Sequence, residues 1–201
     1  MAIKNIAVLV SGGGTNLQAL IDAEKNGIIK SGRICVVVSS KPGVYALERA
    51  EKAGIPNFVA EKAKFGDDTE AFGNEIKKYL NEYKADVIVL AGFLSKLSES
   101  LCEEYKDRIL NVHPALIPSF CGKGFYGLHV PEGALAYGVK VSGATVHLVD
   151  SEYDHGRIIM QKAVEVCEGD TPETLQQRIM VQAEHIILPQ AVEKLCAELG
   201  E

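Results

Sequence analysis

The chain has 201 residues, of which 47% are hydrophobic, and its formal net charge is −6. Its lysines and arginines are scattered without a basic run, which disfavours a protein that binds a nucleic-acid backbone. No apolar stretch approaches the length of a membrane span, and the amino terminus does not resemble a signal peptide. The five cysteines are irregularly spaced, which predicts reduced thiols in a cytoplasmic protein.

Apolar runs and helical patterns alternate along the first half of the chain. Five continuous apolar runs predict buried strands at 5–11, 33–40, 55–60, 85–93 and 108–113. Helical spacing predicts helices at 15–27, 44–54, 67–84 and 98–105. Because strands and helices alternate, the pattern predicts a parallel sheet with helices on both faces.

The pattern changes in the last third of the chain. Residues 140–150 and 156–166 are joined by a short polar connection, which predicts an antiparallel strand pair. Residues 169–199 are predicted to form one long helix, and Pro189 is expected to kink it or to shift its packing. The predicted fold is therefore α/β and Rossmann-like, with a mostly parallel twisted sheet, a carboxyl-terminal antiparallel pair and a long final helix.

The first predicted strand ends in three glycines, Gly12, Gly13 and Gly14, followed by Thr15 and Asn16 at a helix start. Backbone N–H groups of such a turn, with a helix amino terminus behind them, bind anions. The turn lacks the lysine of a P-loop, and the second strand does not end in the acid that a dinucleotide site requires. A phosphate monoester therefore fits better than NAD. The alternative is a tight turn that needs glycine only for its geometry.

Two further segments follow predicted strands at the same edge of the sheet. After the fourth strand, Gly92 would let the backbone approach a flat ligand, and Phe93 and Leu94 would supply an apolar wall. An ordinary strand-to-helix turn is an equal alternative.

On the fifth predicted strand, Asn111 and His113 point to the same side, because side chains alternate along a strand. This pair suits a carbonyl that becomes an oxyanion, and the alternative is a rim histidine before a proline turn.

The connection between the last two predicted strands carries three acids, Asp150, Glu152 and Asp154. A carboxylate near His113 would raise the pKa of the imidazole and favour its charged form, but spacing does not decide which of the three acids lies there.

Two other interpretations of the loop after His113 are disfavoured. Cys121 is disfavoured as a nucleophile because the sequence indicates no general base for it. A metal site of His113, His129 and Cys121 is disfavoured because the spacing matches no common zinc pattern.

Together these segments resemble the glycinamide ribonucleotide formyltransferases of purine synthesis over nearly the whole chain. The segments that carry the resemblance are LVSGGGTNLQALI, LERAEKAGIP, DVIVLAGFLSKLS, ILNVHPALIP, GLH, GATVHLVDSEYDHGRIIMQ and GDTPETLQQRI. Asn-x-His-Pro followed by Leu-Ile-Pro is specific to the superfamily of folate-dependent formyl transfer. The glycine-rich loop indicates the glycinamide ribonucleotide branch of that superfamily. The resemblance implies one formyltransferase domain over 1–201. Its phosphate-binding half would be 1–112, and 113–201 would hold the catalytic loop, the antiparallel strands and the final helix.

The resemblance also implies the reaction and the site. A formyl group would move from 10-formyltetrahydrofolate, a cosubstrate, to the glycine amine of a phosphoribosyl glycinamide, with no metal. Protonated His113 and Asn111 would stabilise the oxyanion, and Asp154 would keep His113 charged. The substrate phosphate would contact Gly12, Gly13, Gly14, Thr15 and Asn16. Glu184 would contact the glycinamide. The folate site would contain Leu90, Gly92, Phe93, Leu94, Ser95, Lys96, Leu97, Asn111 and Asp150.

The chain departs from the family pattern in three places. Ser95 and Thr69 stand where relatives often carry arginines that hold ligand anions. The loop 119–128 is longer than the usual connection. Its Lys123 is expected to replace a missing cationic contact, with His129 as a further candidate.

The expected partners are small molecules, without nucleic acid or membrane, and the chain could be a monomer or a homodimer. The alternatives are a formyltetrahydrofolate hydrolase and a non-catalytic protein that binds a phosphate ligand.

Overall fold

A computed structural model describes residues 2–200, which contain one seven-stranded sheet. The strands are β1 (Lys4–Val10), β2 (Gly32–Ser39), β3 (Asn57–Val59), β4 (Val87–Leu90), β5 (Ile109–His113), β6 (Val141–Leu148) and β7 (Ile158–Glu165). The helices are α1 (Thr15–Lys25), α2 (Tyr45–Lys52), α3 (Thr69–Glu82), α4 (Glu99–Glu104), α5 (His129–Tyr137), α6 (Pro172–Ile179) and α7 (His185–Glu198). No helix in this part of the chain is long and apolar enough to cross a membrane.

The strand order confirms the predicted Rossmann-like sheet. The order is β3-β2-β1-β4-β5-β6-β7, and all pairs from β3 to β5 are parallel. Strand β6 pairs antiparallel with both β5 and β7, so the predicted antiparallel pair extends the same sheet. The strand order reverses between β1 and β4. Ligands of open α/β sheets bind outside the carboxyl ends of the strands at such a point.

The sheet is buried on both faces, which explains why its strands are continuous apolar runs. In β1, Val8 belongs to the core that contains Leu20 of α1 and Leu188 of α7. Its neighbour Leu9 belongs to the opposite core, with Phe72 of α3. Both cores anchor β1, and they thereby hold the glycine turn after it in place.

The final helical segment differs from the prediction of one long helix. A π-helical turn at Met180–Glu184 separates α6 from α7, one turn before Pro189 rather than at the proline itself. Proline cannot donate the regular backbone hydrogen bond and crowds the carbonyl four residues earlier, so regular α geometry is disfavoured there. Such turns are frequent at functional sites. This one ends at Glu184, whose side chain is only 8% exposed.

Helix α5 and a 3-10 turn at Lys62–Phe65 are not predicted from the sequence. Pro131 and Gly133 obscure the helical pattern of α5, although proline is tolerated in the first turn of a helix. Helix α5 begins at His129, so the loop 119–128 is tied to a helix at its far end.

Candidate active site

A cavity of about 460 Å³ opens beside the carboxyl ends of β4 and β5. The residues after β4, the β6–β7 connection and the loop 122–127 form its walls. Most of the residues predicted from the sequence line it, and these are Asn16, Leu90, 92–97, Asn111, His113, Lys123, Asp150, Asp154 and Glu184. The structure therefore brings the predicted catalytic, substrate and folate groups into one site.

Asp154 joins the two candidate catalytic side chains of β5. Its Oδ1 accepts a hydrogen bond from Asn111 Nδ2 at 3.3 Å, and its Oδ2 lies 3.5 Å from His113 Nδ1. Oδ2 also accepts from the backbone N–H of Gly122 at 3.0 Å, which ties the long loop to the site. Burial opposes ionisation of this carboxyl. The nearby imidazoles of His147 and His113 and the hydrogen bond from the Gly122 N–H outweigh this effect and lower the pKa of Asp154 below its ordinary value.

The two ring nitrogens of His113 have different roles. Nε2 lies 2.8 Å from the carbonyl oxygen of Phe120. Because a carbonyl oxygen only accepts hydrogen bonds, Nε2 carries a proton, and Nδ1 is the nitrogen that faces Asp154. The ring is 4% exposed. Burial lowers the pKa of His113 below its ordinary value, although Asp154 and the Phe120 carbonyl act in the opposite direction.

Asp154 acts on the pKa of His113 in the expected direction, but the net pKa is lowered rather than raised. The carboxylate is present and does favour the imidazolium, but the loss of hydration of a charged ring is the larger effect. Because Nε2 carries a proton, Nδ1 is the ring nitrogen that can take up a further proton beside Asp154.

No sequence motif marks His147, which the structure places in the same network. His147 is 1% exposed, and its Nδ1 lies 2.7 Å from the carbonyl oxygen of Leu148. Its Nε2 therefore accepts from Asn111 Nδ2, at 3.1 Å. Strand register explains this contact, because His147 on β6 is paired directly with Asn111 on β5. Its place beside Asn111 could have been predicted only from the pairing of β6 with β5, which was not predicted from the sequence.

Asn16 and Glu184 form a second buried pair at the cavity wall. Asn16 Nδ2 donates to Glu184 Oε2 at 2.6 Å. Burial raises the pKa of Glu184, and the hydrogen bond from Asn16 offsets this only in part. The Oδ1 of Asn16 is buried and has no hydrogen-bond partner within residues 2–200. Asn16 lies at the cavity wall with its side chain bound to Glu184, whereas its expected role was a contact with a phosphate.

The glycine turn lies next to this cavity, at the start of α1. A Cβ added at Gly12 or Gly13 would meet open space, so the backbone at these positions is accessible. Gly14 has a φ of 73°, and an added Cβ would lie 2.7 Å from Ala46 Cβ, so only glycine fits. Helix α1 has no side-chain cap. Its first N–H groups are therefore available for an anion.

The cavity wall that is expected to bind folate consists of the turn after β4 and the β6–β7 connection. Ser11 Oγ accepts from the Leu94 backbone N–H at 3.0 Å, which fixes the turn beside β1. Lys96 Nζ lies 5.8 Å from the ring centroid of Tyr153 across the cavity mouth. Asp150 Oδ2 lies 2.8 Å from His155 Nδ1. Burial opposes ionisation of Asp150, but this contact and the Glu152 N–H lower its pKa.

The predicted residues of the glycine turn, 12–14, lie outside the cavity lining, and so do three further predicted residues. Thr15 faces a second groove between α1 and α7, together with His185. Thr69 is the first residue of α3. His129 begins α5, and its Nδ1 lies 3.0 Å from Glu132 Oε2. Within residues 2–200, no group of three or more histidine, cysteine or acidic residues is arranged to hold a metal ion.

Comparison with known proteins decides the family. The model of the formyl transferase family matches residues 4–192. The chain belongs to the formyl transferase family. A crystal structure of glycinamide ribonucleotide transformylase 1 from Symbiobacterium toebii is 40% identical, with a TM-score of 0.90, and the match covers 98% of this chain and 89% of that one.

Two curated formyl transferase relatives are longer proteins. The trifunctional purine biosynthetic protein adenosine-3 of Gallus gallus is 44% identical over 98% of this chain, which spans 19% of that protein. The chloroplastic phosphoribosylglycinamide formyltransferase of Arabidopsis thaliana is 38% identical over 97% of this chain and 66% of its own length. A formyltetrahydrofolate deformylase from Pseudomonas syringae is 26% identical, with a TM-score of 0.84, and the match covers 98% of this chain and 62% of that one.

Proposed function

We propose that this formyl transferase moves a formyl group from 10-formyltetrahydrofolate to the glycine amine of 5-phosphoribosylglycinamide, in purine biosynthesis. The observation that carries the proposal is the position of Asp154, whose carboxylate reaches both Asn111 and His113 at the edge of one cavity. The glycine turn beside that cavity would hold the phosphate, and the names of the relatives agree with this substrate. The phosphate-binding half would be 1–112, and the catalytic half 113–201.

In the proposed mechanism, His113 Nδ1 is the atom that handles protons. The substrate amine attacks the formyl carbon, and a C–N bond forms while the carbonyl becomes an oxyanion. The attacking nitrogen loses a proton, through water beside Asp154, to Nδ1. The imidazolium then donates this proton to N10 of the folate as the C–N10 bond breaks. The negative charge of the oxyanion, added to that of Asp154, raises the proton affinity of Nδ1 during the reaction.

Protonated His113 and Asn111 would both donate hydrogen bonds to the oxyanion, His113 through Nδ1 and Asn111 through its amide. Within residues 2–200, both N–H groups of the Asn111 amide donate hydrogen bonds, one to Asp154 and one to His147. The bond to Asp154 is the longer of the two, at 3.3 Å, and would be exchanged for a bond to the oxyanion. The bond to His147 would keep the amide oriented.

One assay separates the proposed transferase from its alternatives. The protein is incubated with 10-formyltetrahydrofolate, with and without glycinamide ribonucleotide, and loss of the formyl donor is followed. Loss that depends on the amine is expected. Loss without the amine would identify a formyltetrahydrofolate hydrolase, the activity named for the Pseudomonas syringae protein. Absence of loss in both cases would identify a non-catalytic binding protein.

The glycine turn offers a matched pair of variants. Gly13→Ala should raise the KM for glycinamide ribonucleotide while the protein melts normally, because the added methyl group meets only the space proposed for the phosphate. Gly14→Ala should lower the free energy of unfolding by about 1–3 kcal/mol, because of its positive φ and its contact with Ala46. Thermal melting and steady-state kinetics measure both effects. An equal loss of stability in the two variants would show that Gly13 is needed for the fold, and it would contradict the proposal that its glycine serves phosphate binding.

The long loop is proposed to contribute Lys123 to ligand binding. Lys123 lines the cavity, whereas Thr69, at one of the positions of the missing arginines, does not. Lys123→Ala should raise the KM for the folate by several-fold without changing kcat, because an exposed ion pair contributes up to about 1 kcal/mol. Unchanged Michaelis constants for both substrates would exclude this role.

A further inference from the structure

The loop 119–128 contains one residue whose backbone conformation is unusual for its type. Four residues of this loop have a positive φ, and three of them are glycines. The fourth is Phe120, with a φ of 49°. A bulky residue rarely adopts this left-handed conformation, which persists only where the surrounding contacts hold it. The contacts of Phe120 therefore indicate what its conformation serves.

The ring of Phe120 anchors the loop on helix α5. It lies edge-on to the rings of Phe125 and Tyr137, with centroid distances of 6.2 and 6.1 Å. The ring is half-buried against one of the two hydrophobic cores, whereas Pro118 and Ser119 before it are exposed. It thus attaches an otherwise exposed segment to the folded chain.

Gly133 of α5 leaves the space for this packing. An added Cβ at Gly133 would lie 3.0 Å from the Phe125 ring and 3.4 Å from the Phe120 ring. Gly133 is inside a helix, so its backbone conformation does not require glycine, and alanine would be the better helix former. The close approach of the two rings is therefore the reason that glycine fits this position.

The backbone of Phe120 contacts the candidate catalytic histidine. Its carbonyl oxygen lies 2.8 Å from His113 Nε2, while Asp154 Oδ2 lies 3.5 Å from Nδ1 of the same ring. A neutral imidazole has one ring proton, and both oxygens are acceptors for it. The carbonyl and the carboxylate therefore compete for that proton. The nitrogen without the proton is the one that can accept another.

We propose, resting on the function proposed above, that Phe120 is a positioning residue for formyl transfer. Its ring, packed over Gly133, holds the carbonyl on His113 Nε2, and Nδ1 thereby stays free to take up the proton of the attacking amine. Without this carbonyl, the ring proton moves to Nδ1, where it donates to Asp154. Nδ1 then accepts no further proton, and the base of the proposed mechanism is lost.

The first test observes the tautomer of His113. In protein with isotope-labelled histidine, proton–nitrogen correlation spectra distinguish Nε2–H from Nδ1–H. At about pH 8 the ring is neutral, because burial lowers the pKa of His113 below its ordinary value. Wild type should show Nε2–H, and Phe120→Ala should show Nδ1–H or a mixture. His147 is the internal reference, because the Leu148 carbonyl holds its Nδ1–H in both proteins.

The second test measures turnover in the same variants. Phe120→Ala should lower kcat by about ten- to a hundredfold, since a displacement of about 1 Å at a reacting group costs about a hundredfold. Phe120→Leu keeps an apolar anchor and should restore most of the rate. Gly133→Ala should lower kcat by about three- to tenfold without lowering Tm, because its methyl group displaces the rings while it favours the helix.

Phe58→Ala is the matched control. Phe58 also packs on two aromatic rings, those of Tyr79 and Tyr83, but it belongs to β3 at the far edge of the sheet. This variant should lose stability and keep both kcat and the tautomer of His113. A loss of kcat equal to that of Phe120→Ala would show that any lost aromatic packing has this effect, and it would overturn the proposal.

Each remaining outcome also decides the proposal. A shift of the His113 proton together with a lower kcat in Phe120→Ala supports it, and an unchanged tautomer or an unchanged kcat overturns it. If Phe120→Ala does not fold, Gly133→Ala replaces it, and wild-type values of both quantities overturn the proposal. If wild type shows no amine-dependent loss of the formyl donor, the proposed function fails, whereas the spectra still test the hold of Phe120 on His113.

Discussion

Replacing His113 by alanine should lower kcat for formyl transfer by about a hundred- to a thousand-fold, the loss typical for one oxyanion donor. The reason is that Nε2 is engaged by Phe120, so Nδ1 is the only ring nitrogen left to protonate the leaving group. Single-turnover kinetics with both substrates at saturation measure the effect on the chemical step. Thermal melting shows whether the variant is folded.

Asp154→Asn is the matched variant for the same prediction. It keeps the size of the side chain and an oxygen for the Gly122 N–H, but it removes the charge beside Nδ1. A comparable loss in kcat is expected, because the imidazolium loses its counter-charge. If kcat of either variant stays within about threefold of wild type, the loss is far smaller than that expected for such a group, and the assignment is wrong.

Gly156→Ala should have the largest effect on stability among the glycine variants of the site. An added Cβ would lie 2.8 Å from the carbonyl carbon of Leu148 and closer still to its oxygen. Leu148 is the last residue of β6 and accepts the His147 ring N–H, so the clash cannot be relieved by a flexible side chain. Overpacking of this kind typically costs about 1–3 kcal/mol. For a chain of this size, each kcal/mol lowers Tm by about 2–4 °C.

The same variant should also lower kcat, because Asp154 lies two residues before Gly156 and would move with the connection. Gly13→Ala is the control for stability, since its added methyl group meets open space without a positive φ. Differential scanning calorimetry of the two variants tests the difference. A Tm for Gly156→Ala equal to that of Gly13→Ala would mean that the β6–β7 connection can shift away from Leu148 without cost.

Local pattern accounts for much of the fold and for part of the site. Continuous apolar runs predicted five parallel strands, because a sheet covered on both faces must be apolar on both sides. Alternation along a strand predicted that Asn111 and His113 point the same way, and the structure places both in the cavity. Helix α5 escaped prediction because its proline and glycine hide the spacing of its apolar residues.

The sequence by itself determined the individual strands, the glycine turn and the direction of the two β5 side chains, because each depends on residues that are near one another in the chain. Tertiary structure decided the rest. Contacts across 36, 43 and 168 residues place His147 and Asp154 on Asn111 and join Asn16 to Glu184. Burial, which spacing does not reveal, sets the pKa of His113 below its ordinary value despite the adjacent carboxylate.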